Sequence, residues 1–235
     1  MILNSSSMKD KWEVLLDNEH TREKTLEGTK EFYNVWAKEY DDTMYKWGMN
    51  TYINTSIILM GYAAWPLITG TNLRVLDLGC GTGLLGDAIR KFDITPFLCG
   101  YDSIKITGID ISTESLKIAD KKSVYDELIF NDIHDALTND LNDSSFDVIC
   151  AITVLGYLDF QVFYEESRRV VKDSGIIIFT CKLNSPTIDF ITRQYNMGYI
   201  RSLKLSQTSV YPNNPMYSGK YSYICVAQIH KANTC

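Results

Sequence analysis

An α/β fold with a seven-stranded, mostly parallel sheet, an antiparallel C-terminal hairpin and a helical N-terminal segment follows from three observations. Between residues 73 and 181 short β-rich apolar runs alternate with helical segments, which requires crossovers and hence parallel strands covered on both faces. The segment before residue 73 carries apolar residues at helical spacing. After residue 200 two alternating runs follow each other with no room between them for a crossover helix.

Taken in order, Leu26, Tyr33, Trp36, Ala37, Tyr40 and Met44 fall on one face of a 3.6-period helix. Gly48 separates this helix from a second around Tyr52 to Trp65, whose exit Pro66 and Gly70 predict. Strands are expected at Leu73–Leu78, Ile104–Ile111, Glu127–Asn131, Phe146–Ile152 and Ile176–Cys181. Between them lie helices from Leu84 to Phe92, from Thr113 to Lys121 behind a Ser112 cap, and from Phe160 to Val171 behind an Asp159 cap. Lys172-Asp173-Ser174-Gly175 reads as a turn into the fifth strand. Arg201–Tyr211 and Tyr221–Ile229, joined through Pro212-Asn213-Asn214-Pro215 and Ser218-Gly219, read as the hairpin.

A chain of 235 residues with 45% apolar and 22% charged positions buries about 70% of its unfolded surface, enough for one core without metal or disulfide support. Residues 1–70 are expected to form a helical cap and residues 71–235 the sheet domain, as one structural unit. With 23 Lys+Arg against 29 Asp+Glu, the clustered positive charge that phosphate-backbone binding needs is missing, so no nucleic-acid partner is expected. Cys80, Cys99, Cys150, Cys181, Cys225 and Cys235 form no CxxC pair, and with three histidines in the chain a zinc site is not expected. Cysteines inside apolar runs such as Val148-Ile149-Cys150-Ala151 fit reduced thiols and a cytoplasmic protein. Met1 to Asp10 lacks the basic and apolar regions of a signal peptide. The longest mostly apolar run, Ile57 to Ile68, is 12 residues, short of the roughly 20 that span a bilayer, so no membrane partner is expected.

The sharpest local feature is Val75-Leu76-Asp77-Leu78-Gly79-Cys80-Gly81-Thr82-Gly83, a strand running through alternate glycines into a helix. Such glycines permit tight turns and let a ligand approach bare backbone at a helix N-terminus. Gly81-Thr82-Gly83-Leu84-Leu85-Gly86 also fits the GxGxxG dinucleotide pattern. Asp77 favours the other ligand class: a carboxylate at the strand end repels a pyrophosphate and suits the ammonium and sulfonium of S-adenosylmethionine. Asp110, ending the second strand, can accept both ribose hydroxyls, or serve as a helix-start cap. After the third strand, Asn131-Asp132-Ile133 offers a carboxylate for an adenine amino group and a backbone N–H for a ring nitrogen. Cys80 and Leu84 beside the glycines, and Ile111 after Asp110, complete the expected cofactor contacts of the sheet.

The run Asp77-Leu78-Gly79-Cys80-Gly81-Thr82-Gly83, together with Asp110, Asp132 and Phe146-Asp147-Val148-Ile149, resembles the class I S-adenosylmethionine-dependent methyltransferases over residues 70 to 235. Tyr33-Asn34-Val35-Trp36-Ala37-Lys38-Glu39-Tyr40-Asp41 and Lys122-Ser123-Val124-Tyr125-Asp126-Glu127-Leu128-Ile129 resemble, more narrowly, the Williams–Beuren-region methyltransferase-like proteins. The resemblance implies a Rossmann-like methyltransferase fold whose N-terminal helices cap the cofactor, with Trp36 and Tyr40 near it. An aromatic face beside a sulfonium contributes about 0.5–2 kcal/mol once water is excluded; the same stripe also reads as the plain core face of a helix.

Methyl transfer is an in-line displacement that needs a base only when the acceptor arrives protonated. Candidates are His134 after the third strand and Tyr157 and Asp159 after the fourth, with Asp159 read also as the helix cap and Tyr157 as pocket wall. Thr153-Val154-Leu155-Gly156-Tyr157-Leu158 stands where the family tends to carry a histidine, and it lacks the Asn/Asp-Pro-Pro-aromatic motif of enzymes acting on extruded bases. The sequence therefore predicts methyl transfer from S-adenosylmethionine to the O or N of a small-molecule acceptor. A nicotinamide-dependent oxidoreductase using Tyr157 as proton donor, and a catalytically inactive S-adenosylmethionine-binding partner protein, are the alternatives.

Overall fold

Leu73, Val75, Leu76 and Leu78 are all buried because the strand they form, β1 (Leu73–Leu78), is covered on both faces of the sheet. The structure, a computed structural model, describes residues 25–68, 72–93, 104–182, 186–217 and 219–231. Met1 to Asp10, Gly70, Cys99, Ser218 and Cys235, on which some expectations fall, lie outside them. Beside β1 stand β2 (Ile104–Asp110), β3 (Glu127–Phe130), β4 (Phe146–Ala151), β5 (Val171–Cys181), β6 (Ile200–Ser209) and β7 (Tyr221–Ile229), in the order β3-β2-β1-β4-β5-β7-β6. The first five are parallel, while β7 runs antiparallel between β5 and β6. The fold class expected from the sequence is thus the one found.

Crossovers away from β1 in opposite directions leave a crevice at the carboxyl ends of β1 and β4, where ligands bind in open α/β sheets. One face of the sheet buries Val75, Ile106, Val148 and Ile178 beneath Leu59 and Met60 of α2 (Thr51–Ile68) and Leu85 and Ile89 of α3 (Leu84–Lys91). The other buries Leu76, Ile149, Ile177 and Phe179 against Phe163 and Tyr164 of α5 (Phe160–Val170) and Ile191 of α6 (Pro186–Asn196). Each fully buried aliphatic side chain contributes about 1.5–3 kcal/mol.

Helix α1 (Leu26–Lys46) packs on α4 (Thr113–Lys122) and fastens it with polar contacts. The Asn34 side-chain oxygen accepts from Ser112 Oγ at 2.8 Å and from the Glu114 N–H at 3.2 Å, so a residue of α1 satisfies an open donor at the start of α4. Asp41 of α1 pairs with Lys122 at 2.6 Å and accepts from the Thr82 hydroxyl. The same helix is therefore tied to the glycine loop.

Three local expectations are corrected. Helix α2 runs on through Pro66 to Ile68, since a proline in the last turn removes one intrahelical bond without ending the chain's helical path. The Lys172–Gly175 turn lies inside β5, which begins directly after α5. Ser174 at φ 64° and a register shift opposite Phe146 and Val148 absorb the kink as a bulge. Helix α6 was not expected; among its residues only Ile191 is fully buried, too little for a clear apolar stripe. The Ser112 and Asp159 caps are as expected: Ser112 Oγ accepts from the Ser115 N–H, and Asp159 Oδ1 from the Gln161 and Val162 N–H groups.

Candidate active site

The β1 chain leaves the sheet through Gly79, whose N–H, like that of Cys80, donates to the Ile109 carbonyl of β2, at 2.8 and 3.0 Å. Gly81 follows at φ 52°, a left-handed conformation that disfavours any Cβ. A side chain there would point into open space, with no protein atom within 4 Å. Gly81 also lines a cavity of about 350 Å³, together with the loop residues Gly79, Cys80, Thr82 and Leu84.

A carboxylate at the end of β2 and another just after β3 stand in the same wall. Asp110 accepts from the Gly81 N–H through Oδ2 and the Ser112 N–H through Oδ1, both at 2.8 Å. Burial pushes its carboxyl above the usual range, and the Ser112 and Gly81 N–H groups pull it back. Asp132 caps the helical turn Ile133–Asp135 by accepting from the His134 and Asp135 N–H groups through Oδ1. Its Oδ2 is not engaged by these bonds. Ile111 and Ile133 supply apolar wall between the two carboxylates.

Opposite the loop the wall is aromatic. Tyr33 and Tyr40 of α1, Tyr52 of α2 and Tyr157 after β4 all line the cavity. Their hydroxyls form two short chains: Tyr33 to Tyr157 at 3.1 Å, and Tyr40 to Tyr52 at 3.1 Å with Tyr52 to Thr153 at 3.4 Å. Burial holds the Tyr33 and Tyr40 hydroxyls well above the ordinary phenol range and raises that of Tyr52, so all three stay protonated at neutral pH. Thr153 sits at φ 62°, strained for a β-branched residue, and is held there by its N–H donating to Thr180 Oγ1 at 2.7 Å.

Eleven of the fifteen residues singled out in the sequence meet in this wall: Tyr40, Gly79, Cys80, Gly81, Leu84, Asp110, Ile111, Asp132 and Ile133, with His134 and Tyr157. Four stand outside it. Trp36 packs edge-on against Tyr40, ring centroids 4.7 Å apart. Gly83 is the α3 N-cap. Asp77, 2% exposed, turns behind the wall to accept from the Tyr125 hydroxyl at 2.7 Å. Asp159 caps α5. His134 Nε2 accepts from the Asp159 N–H at 3.0 Å, while its Nδ1 is a buried atom with no hydrogen-bond partner among the described residues. Tyr52, Thr82, Ser115, Thr153 and Val154 line the cavity without having been singled out. Tyr52 sits in so apolar a helix that no period marks it.

A family model described as a methyltransferase domain matches residues 70–211, and the chain belongs to that family. The mitochondrial ubiquinone biosynthesis O-methyltransferase of Dictyostelium discoideum is 24% identical over 140 residues, 54% of this chain and 40% of that protein. An uncharacterized protein of Methanocaldococcus jannaschii is 30% identical over 190 residues, 79% and 62%. The chain therefore spans less than two thirds of these relatives' length. Among solved structures, magnesium protoporphyrin IX methyltransferase of Synechocystis, with S-adenosylmethionine bound, shares the fold at a TM-score of 0.53 and 15% identity, over 86% of this chain and 95% of that one. A Methanococcus maripaludis protein assigned to the S-adenosylmethionine-dependent methyltransferases does so at 0.58 and 13%, over 86% and 95%.

Proposed function

We propose that the protein is an S-adenosylmethionine-dependent methyltransferase acting on the O or N of a small-molecule acceptor. The observation that carries this is Gly81: its left-handed backbone and missing side chain open on the cavity that Asp110 and Asp132 also line. A bare-backbone cradle flanked by two strand-end carboxylates fits an adenosine with a cationic tail. The cofactor is S-adenosylmethionine, as in the Synechocystis enzyme that shares the fold.

The cofactor supplies, when bound, a methyl group already activated on a sulfonium. The rest falls to the chain's own residues. Asp110 keeps lone pairs beyond those given to Gly81 and Ser112, and would take the ribose hydroxyls. Asp132 Oδ2 would take the adenine amino group, with Ile111 and Ile133 against the ring. Helices α1 and α2 form the cap over this site, with Trp36 buttressing Tyr40. The tyrosine rings exclude water, and fixed alignment of donor and acceptor supplies about 7–11 kcal/mol of the barrier reduction. The paired hydroxyls of Tyr33 and Tyr157, and the Tyr40–Tyr52–Thr153 chain, present neutral donors to an acceptor's oxygen or nitrogen. His134 also lines the cavity, with its Nε2 accepting from the Asp159 N–H.

The relatives named for ubiquinone biosynthesis and the demethylmenaquinone methyltransferase of Thermotoga maritima, 28% identical over 177 residues, support a small acceptor. The four described cysteines are buried and unpaired, in keeping with the cytosol. Among the described residues no helix is long and apolar enough to cross a membrane, and no group of side chains could hold a metal ion.

Titration calorimetry with S-adenosylhomocysteine and with NADH tests the reading. S-adenosylhomocysteine is expected to bind and NADH not; binding of NADH alone overturns it. Release of S-adenosylhomocysteine from S-adenosylmethionine across a panel of phenols and amines then separates an enzyme from a non-catalytic binding protein. Asp110→Ala is expected to weaken S-adenosylhomocysteine binding about tenfold or more, as a lost charged hydrogen bond does, while the circular dichroism spectrum stays folded. Unchanged affinity removes Asp110 from the ribose.

A further inference from the structure

Gly86 completes a dinucleotide-like pattern with Gly81 and Gly83, yet it does not line the cavity. It faces the ring of Tyr125, where a Cβ on Gly86 would stand 2.7 Å from Cζ. On the other side of the ring a Cβ on Gly108 of β2 would stand 2.9 Å from Cε1. Two glycines, one on α3 and one on β2, thus form a slot that admits an aromatic ring from the α4–β3 connection. The neighbours of Tyr125 are clamped in place. Arg90 of α3 donates to the Val124 carbonyl at 3.0 Å and to Asp126 at 2.7 Å, and Asp126 accepts the Ile106 N–H at 2.8 Å.

At the end of the slot the Tyr125 hydroxyl donates to Asp77 Oδ2 at 2.7 Å and accepts the Gly86 N–H at 3.3 Å. Asp77 lies at the foot of the glycine loop. The titratable groups facing it are Tyr125, Asp110 on β2, Cys80 in the loop, Cys150 on β4 and Tyr52 on α2, none of them a cation.

We propose that Tyr125 is a positioning residue for the cofactor: its ring sets the spacing of α3 and β2 under the loop, and its hydroxyl holds Asp77 as the anion that answers the cofactor's positive end. The third glycine of the motif then serves this tyrosine rather than a pyrophosphate. The inference rests on the S-adenosylmethionine reading above.

The test is a double-mutant cycle of Tyr125→Phe and Asp77→Asn, read by calorimetry with S-adenosylmethionine and with S-adenosylhomocysteine from acid to alkaline pH. Tyr125→Phe keeps the ring in its slot and is expected to fold. In the wild type, S-adenosylmethionine affinity rises with pH as Asp77 ionises. Tyr125→Phe moves that rise to higher pH, because the anion has lost a donor, and lowers affinity near neutrality about tenfold. S-adenosylhomocysteine, without the sulfonium charge, loses less. In the Asp77→Asn background the Tyr125→Phe loss disappears, a non-additivity that packing alone does not produce. An unshifted pH profile, or additive losses, overturns the proposal while leaving the methyltransferase reading intact. A wild-type protein that binds neither compound overturns that reading instead.

Discussion

Gly81→Val is expected to abolish cofactor binding while the sheet still folds. The mutation acts twice at one position. A β-branched residue at φ 52° carries strain of about 1–2 kcal/mol, which for a chain of this length lowers the melting temperature by a few degrees. A Cβ at this position has no atom beyond its chain neighbours within 4 Å, so the added bulk is not forced into the core, and it stands on a residue that lines the cavity. Calorimetry should show S-adenosylhomocysteine binding reduced at least about a hundredfold, the effect of steric exclusion added to strain. Retained binding with the fold intact would mean that the ligand approaches some other wall.

Asp77→Asn is expected to make the apo protein more stable at neutral pH and a poorer ligand for S-adenosylmethionine. Burial pushes the Asp77 carboxyl up to about 7, against the opposing pull of the Tyr125 hydroxyl, from 3.8. The native state thus holds a proton that the unfolded state releases. The stability this contributes is fully present below about pH 4 and is lost as pH rises through about 7, to a total of about 4 kcal/mol at most. The asparagine variant has no such titration. Urea unfolding near pH 4 and near pH 8 should show the variant gaining on the wild type by up to that amount between the two. A constant difference across pH would assign the titration to another group. The same substitution removes the negative charge that Asp77 carries, once ionised, behind the glycine loop, so S-adenosylmethionine should lose more affinity than S-adenosylhomocysteine.

The legible part of this protein is the part written in local periodicity. The strands around Val75, Ile106 and Val148 are apolar on both faces because helices cover both, and alternating glycines after β1 mark the loop without reference to anything distant. The strand-end carboxylates Asp110 and Asp132 were legible because strand ends fix their place. What periodicity does not encode is direction. Asp77 stands between Leu76 and Leu78, both buried, and nothing local tells that its carboxylate turns to a tyrosine 48 positions away. Trp36 and Tyr40 share a helix stripe, yet only Tyr40 reaches the cavity. Helix α6 and the first half of β5 escaped for a related reason. Pro186 and Ser174-Gly175 signal turns, and tertiary contacts carry the chain through them as a helix start and a strand bulge.

The position of β7 also shapes how the chain can acquire its sheet. It is made after β6 but lies between β5 and β6, pairing with β6 from end to end and with β5 over Tyr223 to Gln228. Until residues 221–229 have been synthesised, β6 has no strand to pair with and β5 carries a row of unpaired backbone groups on that side. A vectorially emerging chain can therefore assemble β1 to β5 and the loop that faces the cavity early, but not close the sheet. For that interval its exposed edges are ready templates for other chains, which makes the hairpin the step at which folding in the cell is most open to aggregation.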